Sequence, residues 1–90
     1  MADINPSEFK VVQVYGGLKE ALFKVTSATA ADVVKFEDIQ RVSGIEIVML
    51  QDADGATVPY TITGTDDEEI TIGTGPSAEP LKGIVKYRSY

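Results

Sequence analysis

The side chains best suited to chemistry in this chain are carboxylates, and each group of them can be weighed against what the chemistry would need. Asp52, Asp54 and Gly55 have the spacing that opens a calcium loop, in which a divalent cation gathers oxygen ligands. Such a loop closes on a further carboxylate and is flanked by helices; Thr63 stands at the closing position, and the flanks alternate as strands do. Asp52 to Gly55 is therefore expected to be a turn, where Asp bonds its own backbone and Gly supplies a positive φ. Asp66, Asp67, Glu68 and Glu69 concentrate charge, but four consecutive side chains in a tight turn cannot converge on one ion. Charges that keep a sheet edge from pairing with another chain account for them better. Gly73-Thr-Gly-Pro-Ser77 is glycine-rich but lacks the lysine and the helix N-terminus that hold a phosphate. Ser77, near Glu79, has no imidazole to take its proton. The chain contains no His and no Cys, which removes the commonest general base, the thiol nucleophile and the usual zinc ligands. Paired carboxylates acting on a sugar would need a cleft larger than 90 residues can build. A non-enzymatic protein is expected, with no catalytic residue, no metal site and no cofactor.

Composition narrows the partners. Fourteen acidic residues stand against 8 basic ones, for a net charge of −6. A nucleic acid would be repelled, since phosphate binding needs clustered Lys and Arg, and the nearest approach to a cluster is Lys82, Lys86 and Arg88. The longest apolar run, Ile45 to Leu50, is broken by Glu46, so no membrane span is expected. The first residues carry neither the basic nor the apolar region of a signal peptide, and synthesis in the cytoplasm is expected. One domain is expected over residues 9–90, preceded by a flexible arm at 1–8 that contains Pro6. A chain this short buries only about 60% of its unfolded surface, and without disulfides a protein partner or self-assembly becomes a source of stability.

The elements that must position any site are strands. Gly44 to Gly73 holds three β-branched runs separated by polar turns, expected as an up-and-down meander. Within it, Ile45, Ile47 and Met49 should share one face and Val48 and Leu50 the other, as in a central strand, with a bulge or bend at Gly44. Val58, Tyr60 and Ile62 alternate with Pro59, Thr61 and Thr63, and Pro59 assigns that run to an edge or a bulge. Ile70 and Ile72 flank Thr71 in a third run. Upstream, Phe9, Val11, Gln13 and Tyr15 should face one way and Lys10, Val12 and Val14 the other. Gly16-Gly17 then leads into a strand over Ala21 to Thr26, forming a hairpin. Thr29 and Asp32 have the spacing of a helix cap, but a helix through Val42 would scatter its apolar residues around the whole circumference. A polar loop and a short strand at Val33 to Phe36 are preferred, with a turn at Glu37 to Gln40. Leu81 to Tyr87 closes the domain. The fold expected is all-β, a small antiparallel sandwich or barrel of six or seven short strands. Phe9, Tyr15, Phe23, Phe36 and Tyr60 are expected in its core.

Five stretches, taken in order, resemble short virion structural proteins of tailed bacteriophages, of the capsid decoration or cement type. They are Tyr15-Gly-Gly-Leu-Lys-Glu-Ala-Leu-Phe-Lys-Val-Thr26, a Val-rich strand, Tyr60-Thr-Ile-Thr-Gly-Thr65, Ile70-Thr-Ile-Gly-Thr-Gly-Pro-Ser77 and Gly83-Ile-Val-Lys-Tyr87. The resemblance implies a protein of the virion that binds capsid subunits in many copies, or itself as a homo-oligomer such as a trimer. It carries no functional residue onto these positions. A small adaptor or accessory domain with a soluble protein partner is the alternative. From the residues themselves, Tyr87, Arg88 and Tyr90 at the C-terminus are candidate interface anchors, since Tyr and Arg are favoured at hot spots. Ile4 is the arm residue that would need an apolar home.

Overall fold

The computed structural model describes residues 2–36 and 42–89, and the turn expected at Glu37 to Gln40 lies outside them. Eight strands follow in chain order: β1 (Asp3–Ile4), β2 (Glu8–Tyr15), β3 (Leu18–Ala28), β4 (Val33–Lys35), β5 (Val42–Asp52), β6 (Tyr60–Thr63), β7 (Glu69–Ile72) and β8 (Glu79–Ser89). They form two four-stranded sheets, ordered β1-β4-β7-β6 and β2-β3-β8-β5, packed as a small all-β sandwich. Both lateral sides are bridged by a chain that changes sheets, from β1 into β2 on one side and from β5 into β6 on the other.

Alternation dictates the core. In β3, Ala21, Phe23 and Val25 are buried, and in β8 Leu81, Val85 and Tyr87 are buried opposite Ile70, Ile72 and Val34 of the shorter sheet. Phe36 is the hub, with its ring 5.1 Å from Phe23, edge to face, and 5.7 Å from Phe9. Such aromatic pairs add about 0.5–1.5 kcal/mol each beyond their buried area. Phe23 lies directly opposite Gly83. A Cβ at Gly83 would come 2.8 Å from the Phe23 ring, so the missing side chain makes the space the ring fills.

The β2–β3 hairpin forms as expected, with a connection of only Gly16-Gly17 and Gly16 at φ +64°. Its faces differ from simple alternation. The register skips Val12, so Gln13 lies opposite Glu20 and Val14 opposite Lys19. This bulge moves Gln13 to the Lys10 side and Val14 to the Phe9 side. Val14 nonetheless stays exposed.

The meander expected from Gly44 to Gly73 is split between the sheets. β6 and β7 pair as an antiparallel hairpin, but β5 pairs with β8. β5 is therefore an edge strand and not a central one. Its free edge is covered locally: Gly44 and Ile45 N–H donate to the carbonyls of Asp66 and Asp67 at 2.8 and 2.9 Å, and Val58 N–H donates to Leu50 O at 2.9 Å. The bend expected at Gly44 is present, with φ +56° and a register shift between Ser43 and Ile47. That shift turns Ile45 into the core with Val48 and Leu50, and leaves Met49 outside. Tyr60, expected in the core, is exposed on the edge strand β6.

The arm is docked. β1 pairs in parallel with β4, Ile4 opposite Val34, and Ile4 packs half-buried against the core. Thr29 and Asp32 form the cap-like turn without a helix: Asp32 N–H donates to Thr29 O at 3.0 Å and Thr29 N–H donates to Asp32 Oδ2 at 2.9 Å. The other oxygen of this buried carboxylate, Oδ1, accepts Ala2 N–H at 3.0 Å, and Val33 N–H donates to Ala2 O at 2.8 Å.

Candidate docking face

Every side chain that β3, β8 and β5 send into the core fixes a neighbour that must point away from it. Leu22 and Lys24 on β3, Lys82, Ile84, Lys86 and Arg88 on β8, and Met49 and Gln51 on β5 therefore share the outer face of the long sheet. Register lines them into rows. Lys10, Leu22, Ile84 and Met49 lie side by side across all four strands, and Glu8, Lys24, Lys82 and Gln51 form the next row. The two rows line a shallow groove of about 420 Å³. Met49 and Leu22 are open to solvent there, 54% and 44% exposed, with Ile84 half-buried between them.

The electrostatics of this face differ from those of the whole chain. Lys10, Lys24, Lys82, Lys86 and Arg88 project from it, five of the 8 basic residues of a protein whose net charge is −6. Glu8 lies 3.7 Å from Lys24, and Glu46 lies 3.7 Å from Arg88. Both pairs are largely exposed and stabilise little. Among the described residues Lys10, Lys82 and Lys86 have no ion-pair partner. Lys24 and Lys82 are directly opposed across β3 and β8, an arrangement of like charges that destabilises a sheet.

The residues expected at an interface are distributed differently. Arg88 projects from this face. Tyr87, its neighbour in the strand, points the other way and is 0% exposed, so it belongs to the core and is not presented to a partner. Its ring lies 5.9 Å from Phe9, and among the described residues its hydroxyl is buried without a hydrogen-bond partner. Burial holds its pKa above the ordinary tyrosine value. Ile4 belongs to the opposite sheet, and Tyr90 lies outside the described residues. Leu22, Met49, Ile84, Lys10 and Lys24 were not singled out by their sequence context, and Lys82 stood out only beside Lys86 and Arg88, because only the pairing register makes the six neighbours.

In each carboxylate group one side chain is committed to backbone. Asp52 Oδ1 accepts N–H from Asp54 at 2.9 Å and Ala56 at 3.0 Å, closing the turn around Gly55 at φ +88°. Glu68 is buried, and its Oε2 accepts Asp66 N–H at 2.7 Å, while Glu69 pairs with Lys35 at 3.3 Å. Glu68 and Glu69 thus point to different partners, while Asp66 and Asp67 contribute their backbone carbonyls to Gly44 and Ile45. Among the described residues no set of three or more His, Cys, Asp or Glu is placed to hold a metal, and no helix is long and apolar enough to cross a membrane. The sequence matches no family model, no curated protein and no solved structure, so the chemistry of the face is argued from its own residues.

Proposed function

We propose that this chain is a non-enzymatic structural protein of a tailed-phage virion, a head decoration protein that binds the capsid surface and stabilises it. The observation that supports this best is the row Leu22, Ile84 and Met49, in register on the outer face of the long sheet, with Leu22 and Met49 exposed and Ile84 half-buried between them. The backbone of paired strands is held in place before a partner arrives, so docking has only side chains left to order. A shallow groove lined by side chains from four strands suits contact with a segment of another protein. The virion part of the reading draws on the resemblance of Tyr15 to Thr26, Tyr60 to Thr65, Ile70 to Ser77 and Gly83 to Tyr87 to phage decoration proteins. Localisation follows: made in the host cytoplasm, then carried on the virion.

The same exposed row favours a second reading, a small adaptor domain that binds one soluble protein partner. The two differ in what is bound and in copy number. Heads assembled from the capsid subunit encoded in the same genome are mixed with the purified protein and pelleted. Saturable co-sedimentation at a fixed number of copies per capsomer is expected, with heads that resist heat better when decorated. Absence of pelleting at every concentration tried would overturn the virion reading and leave the adaptor. Light scattering gives the copy number in solution: a trimer stable to dilution would supply three faces to a symmetric site, against a single 9.7 kDa chain.

A further inference from the structure

We infer that the outer face of the β2-β3-β8-β5 sheet takes an acidic segment of a partner protein, one that sets an apolar side chain on Leu22, Ile84 and Met49 and carboxylates over Lys10, Lys24 and Lys82. The inference rests on reading this face as the docking surface and names the chemistry of what docks.

Charge complementarity carries it. The protein as a whole is acidic, yet five of its 8 basic residues project from this one face, against Glu8, Glu20 and Glu46. Segregation of this kind steers an oppositely charged partner onto the patch and sets its orientation. The opposition of Lys24 and Lys82 points the same way. Two ammonium groups facing each other across a ladder raise the energy of the free protein, and Glu8 relieves only the Lys24 side, through an exposed contact of 3.7 Å. A carboxylate from outside, placed between them, converts that repulsion into two charge-assisted contacts.

The other occupants fit less well. Two copies meeting through this face would bring two net-basic patches together, so isologous self-pairing is disfavoured. A nucleic acid would satisfy the lysines, but would leave Leu22, Ile84 and Met49 against a polar backbone and would meet repulsion from the rest of an acidic molecule.

The probe is a fluorescein-labelled peptide with two Leu set among Glu and Ser, compared with its twin carrying Lys for each Glu. The acidic peptide should bind, more weakly as salt rises, and the basic twin should not. Lys82→Glu should weaken binding about tenfold, as one favourable charge contact becomes a repulsive one. The same change puts opposite charges across β3 and β8, so the unfolding midpoint of the free protein should rise by a few degrees. That rise shows that the variant folds and that Lys82 is not held for stability. Lys19→Glu, away from this face, should bind as the parent does. Equal binding of both peptides, unchanged binding by Lys82→Glu, or tighter binding of a single-stranded oligothymidylate would overturn the inference. Heads separate this failure from that of the virion reading. If parent and Lys82→Glu decorate heads equally, the inference falls and the virion reading stands; if the acidic peptide binds and heads do not, the reverse holds.

Discussion

Tyr87 and Gly83 show how much depends on single side chains in a domain this small. The Tyr87 hydroxyl is buried, and among the described residues nothing accepts or donates to it. A buried polar group without a partner costs about 1–3 kcal/mol, so Tyr87→Phe should raise stability at neutral pH by about 1 kcal/mol, read as a higher urea midpoint at constant slope. The same burial raises the phenol's pKa in the folded state. A raised folded value means that this group's stabilisation is complete below the unfolded value of about 10 and is lost as pH climbs through the higher native one. The advantage of Tyr87→Phe should therefore widen above pH 10. A variant less stable than the parent would show that the hydroxyl is hydrogen-bonded in solution. Gly83 makes the opposite case. Its lack of a side chain is what lets the Met49 carbonyl and the Phe23 ring close on the strand, and Gly83→Ala should cost about 1–3 kcal/mol by urea titration, through overpacking against the backbone of β5 and that ring. A neutral result would mean that both β5 at Met49 and the Phe23 ring have room to move.

At the scale of elements, one carboxylate reinforces the pairing of β1 with β4, beside a Lys35–Asp3 contact of 3.6 Å. Asp32 holds the turn at Thr29 with one oxygen and Ala2 with the other. Asp32→Ala should lower stability by about 1–3 kcal/mol and speed proteolysis within residues 2–7, detected by mass spectrometry of early cuts. Cleavage at the parent's rate would show that the pairing with β4, the Lys35–Asp3 contact and the burial of Ile4 hold β1 without Asp32. This device was half legible: the Thr29–Asp32 spacing was visible as a cap, but its use to tie down the N-terminal segment depends on a contact thirty residues away in sequence. The strands themselves were more legible. Strict alternation in Phe23-Lys24-Val25 and in Ile70-Thr71-Ile72 gave both position and inward face, and Pro59 correctly marked β6 as an edge. β2 and β5 were misread for one reason. A bulge adds a residue to one strand and inverts every face beyond it, and neither Val12 nor the stretch after Gly44 announces the inversion in its residue types. That β5 is an edge was hidden as well, because the loop carbonyls that cover it come from Asp66 and Asp67, in a different hairpin. The candidate face was least legible of all. Lys10, Leu22, Met49 and Ile84 come from four strands spread along most of the chain, and long-range register, which no local pattern encodes, makes them a row.

For the molecule as a whole, the sandwich divides its duties between sheets. The shorter sheet and the inner side of the longer one supply the core, in a particle with a radius of gyration of 11.9 Å. The outer side of the longer sheet is left apolar and basic on an otherwise acidic protein. Stability does not require this, since an apolar row is better buried and opposed lysines are better separated. The central claim is that this face is where the protein docks, and lysine footprinting tests it most directly. The protein is acetylated briefly, free and then bound to heads or to its isolated partner, and each lysine's modification is quantified by mass spectrometry. The predicted result is strong protection of Lys10, Lys24 and Lys82 on binding, with Lys19 modified as in the free protein. Binding that leaves those three lysines as reactive as before would place the interface elsewhere and contradict the account.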